Sequence, residues 1–170
     1  MSKLSDECHT PLDLFRKIDD RYGPCDLDVA ATCQNMLCDL WCGRCVCTGH
    51  LKPHQPVSLN GLRVDWSNHV VWCNPPYSDV HPWVDKAPSA KRCIMLLNVD
   101  PSTRVWREIE RTALSVCWLT PRVAFSGPGA ERLNSKGVFK TSAASRPSMV
   151  VVWERGNSRG LHYEQQWRWK

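Results

Sequence analysis

Four consecutive residues, Asn74-Pro75-Pro76-Tyr77, bring together the groups needed to hold a flat amine. An amine on an aromatic base or in an amide is a poor nucleophile, because its lone pair is delocalised. Two acceptors aimed at its N–H groups leave that lone pair facing an electrophile. The side-chain oxygen of Asn74 and the main-chain carbonyl of Pro75 suit that task. The ring of Tyr77 can stack on the plane that carries the nitrogen. No covalent nucleophile is needed; orientation and exclusion of water suffice.

The elements that must position this quartet can be read around it. Val70-Val71-Trp72-Cys73 is an apolar run of strand formers. The two prolines neither continue a ladder nor enter a helix interior, so the strand stops at Asn74. The corner is then at a strand's end, where open α/β sheets bind ligands. Upstream, Thr10-Pro11 reads as a helix start, with Thr10 as N-cap and Pro11 at the first helical position. Leu14, Phe15, Ile18 and Tyr22 share one face of that helix, and Gly23 stops it. Cys25 to Ala31 is a short strand running into small residues, where a ligand or a backbone can come close. Asp28 in that strand either accepts from a cofactor's ammonium or ribose, or caps the next turn. Asp65-Trp66 either serves a cofactor's adenine, the acid accepting its amino group, or is a turn acid beside a core indole.

Downstream, Ser78 or Asp79 is expected to cap a helix carrying Val80, Trp83, Val84 and Ala87. Cys93 to Leu97 reads as a buried strand, Asp100-Pro101 as another helix start, and Ala113 to Leu119 as a further strand. Arg122 to Phe125 is expected to pair back, and Ser148 to Trp153 is a last apolar strand. Residues 126–146 form a Gly/Ser-rich basic loop, long for a compact domain. Its Arg132, Lys136, Lys140 and Arg146 either follow a phosphate backbone or form a solvated face. The tail, with Trp167 and Trp169 beside Arg168 and Lys170, either touches nucleic acid or docks on the domain.

A chain of 170 residues suits one domain, and its net charge of +5 permits a polyanionic partner without demanding one. Met1-Ser2-Lys3 leads into no apolar leader and no run could span a bilayer, so a cytoplasmic protein is expected. Ten cysteines in such a chain point to metal more than to disulfides. Within the irregular segment 37–60, Cys42, Cys45, His50 and His54 have the type and spacing of tetrahedral zinc ligands, with Cys38 and Cys47 as rivals. Four protein ligands would leave no open position, so such a zinc would be structural.

Thr-Pro with its helix, Leu-Asp-Val-Ala-Ala, Asp-Trp, Val-Trp-Cys-Asn-Pro-Pro-Tyr-Ser and the strand followed by Asp-Pro-Ser-Thr-Arg occur in one order. Together they resemble the phage-type, Dam-like DNA N6-adenine methyltransferases, over residues 10–153. Asn74 to Tyr77 is similar to their motif IV, and Thr10-Pro11 to their motif X. The Asp28 segment resembles a degenerate motif I that lacks the glycine-rich loop. The resemblance implies a class I methyltransferase, Rossmann-like α/β fold: a mostly parallel sheet, helices on both faces and an antiparallel strand near the C-terminus. The Cys/His-rich segment 37–60 would be an insertion in it. It further implies S-adenosylmethionine as methyl donor and double-stranded DNA as partner, with the target adenine flipped into the site. Asn74 and Pro75 would hold its amino group, Pro76 would stiffen the turn, and Tyr77 would stack. Thr10, Pro11, Asp28, Ala30, Asp65 and Trp66 would meet the cofactor. The same corner would serve an RNA base or a protein glutamine, and a decayed relative would be a non-catalytic binder.

Overall fold

Runs of β-branched and aromatic residues pair into a main sheet and a separate hairpin, seen in a computed structural model that describes residues 8–45, 55–127, 130–133, 139–141, 146–157 and 159–170. Helix α1 (Leu12–Tyr22) precedes strands β1 (Leu27–Thr32) and β2 (Leu40–Arg44). Strand β3 (Val70–Cys73), helix α2 (His81–Lys86), strand β4 (Arg92–Asn98), helix α3 (Arg104–Thr112) and strand β5 (Ser115–Thr120) follow. A hairpin of β6 (Glu131–Leu133) and β7 (Phe139–Thr141) leads to β8 (Ser148–Glu154), and the short β9 (His162–Tyr163) and β10 (Trp167–Arg168) come last.

The sheet order is β2-β1-β3-β4-β8-β5-β10, with β9 also on β5. Every pairing in it is parallel except those of β8, which runs antiparallel to both β4 and β5. The expected antiparallel strand is therefore β8, set inside the sheet; among the described residues Arg122 to Phe125 forms no strand, and Ala124 makes only an isolated bridge. Because β1, β3 and β4 are parallel neighbours, they all finish at the same edge.

The central strands are buried on both faces, as parallel sheets covered by helices must be. Cys93, Met95 and Leu97 of β4 enter one core, and Ile94 and Leu96 the other. Helices α2 and α3 cover the first face through Trp83, Val84, Trp106 and Ile109. Helix α1 covers the second through Leu14, Phe15 and Ile18, with the Phe15 ring meeting Trp72 of β3 edge-on at 5.1 Å.

Three helix starts differ from expectation. Pro11, not Thr10, is the cap residue of α1, and no side chain caps it. Helix α2 begins after Val80, with Pro82 in its first turn; Ser78 and Asp79 belong to the preceding turn, where the Asp79 N–H donates to Pro76 O at 3.1 Å. Thr103 caps α3, accepting from the Trp106 N–H at 3.2 Å, while Asp100 shapes the turn before it.

Segment 37–60 is not merely inserted: it supplies the edge strand β2. Gly43 makes that pairing possible. Its φ is +147°, and a Cβ there would lie 1.7 Å from Ala31 O. The small residues at the end of β1 thus admit neighbouring backbone, since a Cβ on Gly61 would also fall 2.0 Å from Val29 O. The tail docks: β10 pairs with the end of β5, and buried Trp169 donates its indole N–H to Pro121 O at 2.8 Å. Segment 126–146, expected as a loop, contains the β6–β7 hairpin.

Candidate active site

Asn74 follows directly on β3, at the edge where β1 and β4 also finish. Its amide is fixed from both sides. The Nδ2 group donates to Cys8 O at 2.8 Å, and Oδ1 accepts from the Tyr77 hydroxyl at 3.1 Å. An amide oxygen has two lone pairs, so Oδ1 retains one for a further donor. Pro75 is buried and Tyr77 half-buried. The Tyr77 hydroxyl itself lies deep, and burial raises its pKa far above the ordinary phenol value, so it stays a donor. Its ring meets Phe125 edge-on, with centroids 6.2 Å apart.

On one side of this corner Asn74 shares a narrow cavity with Cys8, Thr10, Asp28, Ala30, Asn35, Leu37 and Trp72. Its volume is about 10 Å³, the room of roughly one water molecule. Asp28 is its most unusual member. A bulge in β1 between Asp28 and Ala31 turns the chain. The carboxylate then accepts from the Ala30 N–H at 3.2 Å and the Leu37 N–H at 3.1 Å. Asp28 is only 3% exposed and makes no ion pair with a described residue. Burial pushes its pKa up to about 7, against the two N–H donors that oppose the shift. A buried acid without a cation is the kind of group that a ligand's ammonium relieves.

On the other side Tyr77 lines a second cavity, of about 270 Å³, with Val80, Leu97 and Val105 as apolar walls. Ser78, Asp79, His81, Asn98, Asp100, Thr103 and Arg146 provide its polar lining. The Asn74–Tyr77 hydrogen bond thus lies between two cavities, one lined by each residue.

Of the residues the sequence singles out, Thr10, Asp28, Ala30 and Asn74 are brought together; Pro11 adjoins them as the cap of α1. Asp65 and Trp66 are not. Asp65 is engaged by Ser67, whose N–H and hydroxyl both donate at 2.9 Å. The Trp66 indole is fully buried, donates to Gly61 O at 2.9 Å and stacks on Trp83. Both precede β3, whereas Asn74 follows it.

The three zinc candidates among the described residues are divided as well. Cys38 and Cys42 are buried in the two different cores and Cys45 is exposed. Cys47, His50 and His54 lie outside the described residues. Among the described residues no group of three or more His, Cys, Asp or Glu is placed to hold a metal. Of the basic candidates, Arg132 and Lys140 are cross-strand partners in the β6–β7 hairpin, Lys136 lies outside the described residues, and Arg146 pairs with Asp100.

Sequence reasoning missed Cys8, Asn35 and Leu37 at the narrow cavity. Cys8 acts there through its main-chain carbonyl, which any residue type would supply. Asn35 carries a signal only in retrospect: its side-chain oxygen accepts from the Thr32 N–H at 2.6 Å, closing the turn after β1.

The chain matches the family described as DNA N-6-adenine-methyltransferase (Dam) over residues 1–165. A protein of Haemophilus phage HP1 (strain HP1c1), described as a DNA N-6-adenine-methyltransferase, is 34% identical over 101 residues, which cover 56% of this chain and 54% of the relative. A protein of Escherichia phage T1 with the same description is 30% identical over 115 residues, covering 65% of this chain and 43% of the relative. The chain spans about half the length of the curated relatives it matches.

Proposed function

The chain belongs to the DNA N-6-adenine-methyltransferase (Dam) family, and from that premise we propose that it moves a methyl group from S-adenosylmethionine to the N6 amino group of adenine in DNA. The reading makes it a phage- or prophage-encoded enzyme, as its relatives' sources suggest. The sheet, mostly parallel with helices on both faces, suits a class I methyltransferase fold. Among the described residues no helix is long and apolar enough to cross a membrane.

The observation that carries the proposal is the fixed Asn74 amide between two cavities. The cavity beside Tyr77 is of a size for one flat heterocycle, somewhat below that of a drug-sized pocket. A target adenine flipped from the duplex enters there. Asn74 Oδ1 and Pro75 O accept its two N6 protons and leave the nitrogen's lone pair directed away from them. Tyr77 stacks on the ring, and the apolar walls exclude water.

The narrow cavity has a donor set that fits the methyl donor's polar end: the Asp28 carboxylate for an ammonium, the Thr10 hydroxyl and the Asn35 amide for its other polar groups. Bound there, the donor supplies an electrophilic methyl on a sulfonium. At about 10 Å³ the cavity is too small for the whole cofactor, so Cys8 and Thr10, which wall it, must give way on binding. Asn74 carries no titratable group; it holds the amine in place, and the N6 proton leaves to solvent after transfer.

The test is incubation of mixed duplex DNA with methyl-labelled S-adenosylmethionine, then digestion to nucleosides. N6-methyldeoxyadenosine is expected as the labelled product. Label confined to cytosine, to RNA or to protein glutamine in parallel reactions would refute the proposal.

A further inference from the structure

Two opposite charges, Asp100 and Arg146, meet at the rim of the chamber beside Tyr77. Asp100 sits in the turn before α3, where its Oδ1 accepts from the Ser102 hydroxyl at 2.6 Å and its Oδ2 takes the Arg146 guanidinium. The backbone beside Arg146 is anchored too, because Pro147 O accepts from the Val99 N–H at 2.9 Å. The pair is therefore held in place by its backbones while its charged ends stay wet: the side chains are 58% and 27% exposed for Arg146 and Asp100. An ion pair so exposed is weak, and a stronger anion can break it. The other titratable groups lining the chamber are Tyr77, Asp79 and His81.

We propose that this rim pair is exchanged on binding: a phosphate of the DNA strand takes Arg146 from Asp100, which couples backbone engagement to admission of the target base. The proposal rests on the reading of the chamber given above. A guanidinium offers one planar fork, for which carboxylate and phosphate compete with matching geometry. The phosphate brings condensed counterions whose release favours the exchange. Asp100 is left at the mouth, still held by Ser102, with its charge unpaired. It repels phosphates there and does not repel a neutral base, so the backbone stays at the rim while the base passes inward. Arg146 is thus a positioning residue, acting on the target through the strand that carries it.

The test is a double-mutant cycle of Asp100→Asn and Arg146→Gln on the full chain, with a mixed-sequence DNA duplex as probe and affinity measured across a salt series. Asn at position 100 keeps an oxygen for Ser102 and removes only the charge. Arg146→Gln should weaken binding and reduce the slope of log affinity against log salt by about 0.9, one phosphate contact. Asp100→Asn should tighten binding about 1.5- to 5-fold, the value of an exposed pair, and should tighten it less, by the loss of repulsion alone, when Arg146 is already Gln. Equal tightening in both backgrounds would mean simple charge repulsion and would overturn the exchange, as would an unchanged slope in Arg146→Gln. Methyl transfer by the wild type separates the two readings. An active wild type without coupling removes the exchange alone, and an inactive wild type with coupling removes the enzymatic reading alone.

Discussion

At the level of single residues, the site depends on polar groups whose other bonds are already made. Tyr77 is the clearest case, because its hydroxyl and its ring have separate tasks. Tyr77→Phe deletes the donor to Asn74 Oδ1 and keeps the ring, so the turnover rate should fall less than about tenfold. Tyr77→Ala removes stacking worth about 1–3 kcal/mol per base and should cost substantially more; steady-state rates on duplex DNA check both. Asp28 gives a prediction in pH. In the unfolded chain an aspartate releases its proton at about pH 4, whereas folded Asp28 holds its proton up to about 7. Between these values the folded state carries the extra proton, so stability falls as pH rises through that window. The Tm without ligand should decline from pH 5 to pH 8. S-adenosylmethionine, by pairing its ammonium with the carboxylate, should flatten that decline; equal slopes with and without it would count against Asp28 as the ammonium site.

At the level of elements, strands were the more legible part. Val70–Cys73 was bounded by its own residues, since two prolines end it and a turn precedes it. The apolar runs of β4 and β8 were equally plain. Edge strand β2 was not, because its cysteine has two meanings. Read by spacing Cys42 is a metal ligand; in the fold it behaves as a small apolar side chain, as buried free cysteines do. Gly43 further weakened the strand pattern, yet the pairing depends on it. Gly43→Ala would drive a methyl group into Ala31 O and strain the backbone. It should cost about 3 kcal/mol or more, read as a lowered urea midpoint. Helix starts were misplaced by up to three residues because Asp-Pro and Thr-Pro are turn signals as well as cap signals. The Asp65 and Trp66 expectation failed to converge on the site for a similar reason: a turn acid and a core indole carry the same letters as a nucleobase pocket.

At the level of the whole molecule, parallel order places three strand ends at one edge, and the corner, the narrow cavity and the chamber gather there. A larger cavity, of about 610 Å³, lies where β4 and β5 begin, and its Arg21, Tyr22, Ser115 and Glu164 are bonded among themselves. The basic tail closes the far side of the sheet. Trp169→Ala would empty a buried site and leave Pro121 O without its donor, costing about 3–5 kcal/mol in urea unfolding. The role of the Asn74 amide is tested by one assay: label transfer to duplex adenine by wild type and Asn74→Ala, with cofactor affinity measured on both by calorimetry. Asn74→Ala should lose about 10²–10³ in turnover with cofactor affinity changed only slightly. Transfer at the wild-type rate by Asn74→Ala, with N6-methyladenine still the product, would contradict it.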